Sequence, residues 1–239
     1  MEKKELPYTQ VHVGTGEPIE ERDLVEFRLL YQGKLPSTGN TGKPADVHEI
    51  RRSFHPQLRR LWFVLPQLRQ LGESIGTTVY GREITEQQIQ TPVCLTTEQA
   101  MHKAFESMGK NWNRSGYQCV PLVTQNLSLR CALDILLLRP DEKRFIFEQG
   151  DIDGQVKTLF DALKIPKTLT DAGGSAPQQD ETPFFCLLED DRLISEVRVL
   201  SDQLLLLPHA KTLEANDCFA AITVRVNHKS PSTFDNWFA

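Results

Sequence analysis

The sequence has no CxxC pair. Its five cysteines, Cys94, Cys119, Cys131, Cys186 and Cys218, are odd in number and scattered. That spacing argues against a zinc site or a disulfide framework and makes a reducing cytoplasmic compartment the expectation. No apolar run is long enough to span a bilayer, so no membrane partner is expected. Residues 1–10 lack the apolar core of a secretory signal. There is no GxxxxGK[ST] segment, so the glycines of the 33–44 loop are not read as a phosphate cradle. No internal repeat is present. A net positive charge is also missing. The chain carries −5 at neutral pH, and only the local distribution of charge leaves room for a nucleic-acid partner.

What is present is ordinary in bulk. The chain has 239 residues, 39 % of them hydrophobic and 25 % charged, enough for one large or two small domains. The expected organisation is a polar leader over 1–22 followed by a single domain over 23–239, with an inserted helical region near 72–120. Leu24 to Tyr31 alternates as a first strand. Leu127 to Leu138 alternates strongly, and Arg144 to Glu148 is expected to pair back on it as a hairpin. Phe219 to Val226 reads as a late strand. Ile50, Phe54, Leu58, Leu61, Leu65 and Leu68 form a helical stripe, with Pro56 expected to kink or split the helix. Thr96 and Thr97 are placed to cap a helix running through Met108.

The chemistry concentrates in Asp151-Ile152-Asp153-Gly154-Gln155-Val156-Lys157 and the helix that it opens. Val156, Leu159, Phe160 and Leu163 fall on one apolar stripe, and Asp153 stands at the expected N-cap. Asp151 and Asp153 are two apart and point to one side of an extended segment. Lys157 follows one helical turn later. Downstream, the apolar run Phe184–Leu188 ends in Glu189-Asp190-Asp191, and a second strand carries Ile194, Val197 and Val199. If the two strand ends lie side by side, Asp190 and Asp191 join Asp151 and Asp153. Such an oxygen-rich set suits Mg²⁺ or Mn²⁺.

Residues 43–70 hold six basic side chains against two acidic ones. Arg51, Arg52, Arg59 and Arg60 are the candidate phosphate contacts, since a guanidinium fork matches phosphate oxygens. His55, Trp62 and Phe63 are read as structural.

The order Asp-Ile-Asp, Lys157, Asp161-Ala162-Leu163 and then Asp190-Asp191 at the start of a strand resembles the RusA family of Holliday junction resolvases. The likeness covers roughly residues 127–199. Gly154 stands where that family usually has Asn, Gln149 and Gly150 where it often has basic residues, and the chain is longer than a typical member. The resemblance implies an α+β fold, a small mixed or antiparallel sheet packed with helices. It implies Mg²⁺ held by Asp151, Asp153 and Asp191 with Asp190 in support, and Lys157 as the catalytic lysine. The implied activity is structure-selective DNA cleavage, as in recombination and repair, by a homodimer. Two alternatives stay open: a nuclease for another DNA or RNA substrate, and a non-catalytic nucleic-acid-binding assembly subunit.

Overall fold

A computed structural model describes residues 25–37, 44–87, 94–139, 152–204 and 217–228. Seven strands and four α-helices follow in chain order among these. They are β1 (Val25–Lys34), α1 (Pro44–Val64), α2 (Pro66–Glu86), α3 (Thr97–Asn111), β2 (Asn113–Arg114), β3 (Tyr117–Val123), β4 (Leu129–Arg139), α4 (Ile152–Leu163), β5 (Phe184–Leu188), β6 (Ile194–Gln203) and β7 (Asp217–His228). The fold is α+β with mixed sheets, the class that the resemblance implies.

Two sheets are present. The larger has the order β1-β7-β4-β6, antiparallel except for the parallel pair β4–β6. The smaller, β2-β3-β5, is mixed. The alternation of β1 explains its place. Val25, Phe27 and Leu29 turn into the core, while Glu26, Arg28 and Leu30 face outward. Leu133, Ile135 and Leu137 of β4 and Ile222, Val224 and Val226 of β7 continue the same inner face. The wholly apolar β5 is buried throughout, as a strand covered on both faces must be.

Pro56 does not split the first helix. α1 runs through it to Val64, and the break falls at Leu65, which is extended ahead of Pro66. Pro66 lies at the start of α2, where a missing N–H costs nothing. Leu58 and Trp62 therefore lie on α1, and Leu68 enters the core from α2. The region expected to be inserted is a helical hairpin plus β2 and β3. α3 starts on a Thr96–Gln99 capping box, with Gln99 N–H bonding Thr96 Oγ1 and Thr96 N–H bonding Gln99 Oε1. Gly76 lets α2 approach α3, since a Cβ there would stand 1.8 Å from the carbonyl oxygen of Ala100. Trp62 is core; Phe63 is 49 % exposed.

The 1–22 leader, the 144–148 hairpin and the residues beyond His228 lie outside the described residues. Among those described, no helix is long and apolar enough to cross a membrane.

Candidate functional site

α4 delivers the first acidic group. It begins at Ile152, so Asp153 belongs to the helix's first turn rather than capping it. A carboxylate is favoured there by the partial positive charge of the helix start. Asp153 and Lys157 are both exposed. The opposite face is fixed: Gln155 accepts a bond from the Arg139 guanidinium at the end of β4, and Thr158 Oγ1 donates to the carbonyl of Pro36 at 2.8 Å. Asp151 lies outside the described residues.

The second acidic group sits elsewhere. Lys164 directly follows α4. Its Nζ lies 2.8 Å from Asp191 Oδ2 and 2.7 Å from Asp161 Oδ1. Ile165 N–H bonds the carbonyl of Leu188 at 3.0 Å, which fixes the end of β5 against the end of α4. Asp153 and Lys164 are eleven residues apart, about 16 Å along a helix axis. The strand ends are therefore not side by side. Asp191 does not join Asp153 within one chain, which corrects the expected three-aspartate cluster. The reason is topological. β4 and β6 are parallel, so α4 crosses from the end of one to the start of the other. Among the described residues, no group of three acidic, His or Cys side chains is placed to hold one ion.

Asp190 also has fixed partners. One carboxylate oxygen accepts from Arg192 N–H at 3.1 Å and Arg192 Nε at 2.8 Å. The Arg192 guanidinium holds its pKa down to about 2. Lys164 sits in a balance of opposed effects. Burial lowers its pKa, but the Asp161 and Asp191 carboxylates outweigh that and the net shift is upward.

The basic helix divides. Arg51 is only 2 % exposed. Its guanidinium donates to the carbonyls of Lys164 at 3.0 Å, Asp171 at 2.9 Å and Asp161 at 2.6 Å. It is a tie between α1 and the end of α4, so its reading as a phosphate contact is corrected. Arg52 forks onto Glu181, with Nε 2.5 Å from Oε1, and Nη1 reaches Glu49 at 3.0 Å. Its donors are turned to carboxylates of the fold, which moves it out of the phosphate set as well. Arg59 and Arg60 are exposed.

Two histidines support this part of the core. His55 Nδ1 accepts from Phe185 N–H at 2.9 Å, and its Nε2 lies 3.1 Å from the carbonyl of Asp180. His48 Nδ1 lies 3.2 Å from Arg51 Nη1 and Nε2 lies 3.3 Å from Tyr117 Oη, whose hydroxyl donates to Ser175 O at 3.1 Å. Arginine can only donate, so the His48 proton belongs on Nε2.

A polar cleft of about 490 Å³ opens beside Asp190. Arg114, Arg130, Lys167 and Arg192 line it with Glu189 and Asp190. The two carboxylates are already engaged, Glu189 by Gln125 N–H and Asp190 by Arg192. Arg130 has no acidic partner among the described residues. The sequence reading missed this cleft because its cations come from four separate segments. Its one local signal was Arg192 beside the Asp-Asp pair.

No protein-family model, curated protein or solved structure matches this chain.

Proposed function

We propose that this chain cleaves nucleic-acid phosphodiester bonds as a Mg²⁺-dependent endonuclease of the RusA kind, with branched DNA as substrate. The observation that carries the reading is the exposed Asp153–Lys157 pair on the first turns of a helix whose other face is locked. Mg²⁺ is commonly held by one or two protein carboxylates, with phosphate oxygens and water filling the remaining positions. Asp153 fits such a site, and Asp151, two residues earlier in sequence, is the candidate second ligand. Asp191 does not fit as a ligand from the same chain, because it sits at the far end of α4 on the Lys164 ammonium. Mn²⁺ would suit the same oxygen donors.

The ion, when bound, supplies a Lewis acid for the phosphate. Lys157 balances negative charge that grows on the phosphate oxygens as water adds to phosphorus and the 3′ oxygen leaves. Arg114 and Arg130 hold neighbouring phosphates in the cleft, and Arg59 and Arg60 extend that contact from α1.

A second reading, a nucleic-acid-binding assembly subunit without catalysis, is favoured by the separation of the two acidic groups within one chain. Labelled four-way, duplex and single-stranded DNA, with RNA counterparts, incubated with Mg²⁺ or EDTA decide between them. The nuclease reading expects Mg²⁺-dependent nicks in branched DNA and their loss in D153N with binding retained. Binding without cleavage of any substrate selects the second reading. Neither binding nor cleavage removes both.

A further inference from the structure

Phe63 is the exposed end of a run of packed rings. Its ring meets Phe105 edge-on at 5.8 Å, Phe105 meets Phe185 edge-on at 5.0 Å, and Phe185 lies 5.8 Å from His55. Phe105 and Phe185 are buried, yet Phe63 is 49 % exposed. The core therefore holds the Phe63 ring and presents it to solvent at the end of α1. There it borders a groove of about 880 Å³ between α1, α3 and the starts of β3 and β5. Met101, Phe105, Pro183 and Phe185 supply the apolar lining. Gly109 lets α3 close onto β3 at this place, since a Cβ would stand 3.0 Å from the Gln118 Cβ. α3 and the start of β3 precede the 127–199 span that resembles the RusA family, so two walls of the groove lie outside the family pattern.

Much of the polar lining is unspent. Lys103 is taken by Glu83, and Glu106 by Lys110. Arg59, Glu98, His102 and Gln118 also line the groove, and their side chains make no hydrogen bond or ion pair among the described residues. Arg59 and Phe63 are four apart on α1, so guanidinium and ring stand side by side.

We propose that this groove seats one unpaired nucleobase of a bound strand, its face on Phe63 and its phosphate on Arg59, a reading that rests on the nucleic-acid binding common to both functions above and not on cleavage. A base has a flat π face that stacks on an aromatic ring. Its edge carries donors and acceptors, which match a rim of carboxylate, amide and imidazole. An aliphatic protein segment would cover those groups and leave them unpaired, at a cost in free energy. The volume suits a ligand of nucleotide size. The Glu98 carboxylate suits a base with an exocyclic amino group, as in cytosine. Bases in a closed duplex are stacked and paired, so the groove takes them from single strands and branch points.

Fluorescence anisotropy of the full chain in EDTA, where no Mg²⁺-dependent cleavage occurs, reads the contribution of the bases. The probes are a labelled oligodeoxycytidine and an abasic strand of the same length and charge. The wild type is expected to bind the first about tenfold more tightly. F63A should remove most of that difference and leave the salt slope unchanged, since no charge is lost. F63W should keep the difference, because indole stacks as well. R59A should weaken both strands and lower the slope by about 1. Irradiation of an iodocytosine strand on the wild type should cross-link it to α1 or α3 at the groove. A difference unchanged in F63A, or cross-links confined to other elements, overturns the pocket and returns the groove to a protein partner. Equal affinity of the wild type for the two strands also overturns it, and leaves phosphate binding standing. No binding of either strand, of duplex or of four-way DNA removes the nucleic-acid reading, and the pocket with it.

Discussion

Lys164 Nζ is shared between two carboxylates, Asp161 one turn back on α4 and Asp191 beyond β5, at 2.7 and 2.8 Å. The ammonium is mostly buried, so it couples the end of the helix to the start of β6 rather than decorating a surface. K164M should lower stability by about 1.5–3 kcal/mol, the range for hydrogen bonds to charged groups. K164M/D191N should cost less than the sum of its parts, because each single change already breaks the shared contact. Urea denaturation of the four proteins measures this coupling. The pair should persist through neutral pH. A lysine pKa raised on folding contributes its full stability below the unfolded value and loses it only as pH climbs through the folded one.

Arg51 predicts a different loss. R51M leaves three part-buried carbonyls short of a donor and should destabilise by about 3 kcal/mol. For a chain of this size that is roughly 6–12 °C in melting temperature. R60M, on the exposed part of α1, should shift it by less than about 2 °C. Calorimetry separates the two. Equal shifts would mean that Arg51 does not tie α1 to α4.

Acid should loosen the core through His48 and His55. Burial first, then the Arg51 and Arg52 guanidiniums, pushes the His48 pKa down to about 4. Burial also lowers His55, against the partial opposition of the Asp180 carbonyl. Both rings are neutral in the fold, and each uses its unprotonated Nδ1 as an acceptor. The folded state thus binds fewer protons than the unfolded one. Stability is complete above the unfolded histidine value near 6.5 and falls as pH drops toward 4, by on the order of 3 kcal/mol for His48. Denaturation curves from pH 7 to pH 4 should flatten in H48Q. A slope unchanged by that substitution would assign the loss to other groups.

Nucleic-acid binding should sort the basic faces. R114A/R130A and R59A/R60A are each expected to lower the slope of log affinity against log salt by about 2, near 0.9 per phosphate contact. R51M should leave the slope alone. Fluorescence anisotropy of a labelled four-way junction at several salt concentrations supplies the slopes. An unchanged slope in either double variant removes that face from the phosphate surface.

The elements were readable where period and burial coincide. The alternation of Leu127 to Leu138 placed β4 to within two residues, and Phe184–Leu188 placed β5 to the residue. The stripe through Val156, Leu159 and Leu163 placed the inner face of α4, since all three are buried. The α1 stripe was right and its break was not. Pro56 is accommodated on an exposed face, while Pro66 begins a new helix. The site was less readable. Strand direction decides whether Asp191 meets Asp153, and no local pattern states whether β4 and β6 run parallel. Charge also misled at Arg51. Its i, i+3 relation to buried Phe54 puts it on the inward side of the helix, yet an arginine there reads as solvated until its three carbonyl partners are known. Those partners lie more than a hundred positions away.

The Gln57 side chain of α1 occupies both outward backbone groups of Leu30 on the edge strand β1: Leu30 N–H donates to Oε1 at 2.9 Å and Nε2 donates to the Leu30 carbonyl at 2.7 Å, which bears on how copies of this chain can associate. A sheet with two bare edges can recruit a neighbour on each side and propagate without limit, the geometry of a fibril. A sheet with one edge stoppered has a valence of one. Whatever strand it recruits at the β6 edge, the growth ends with that addition. One glutamine side chain thereby converts an extensible surface into a self-terminating one.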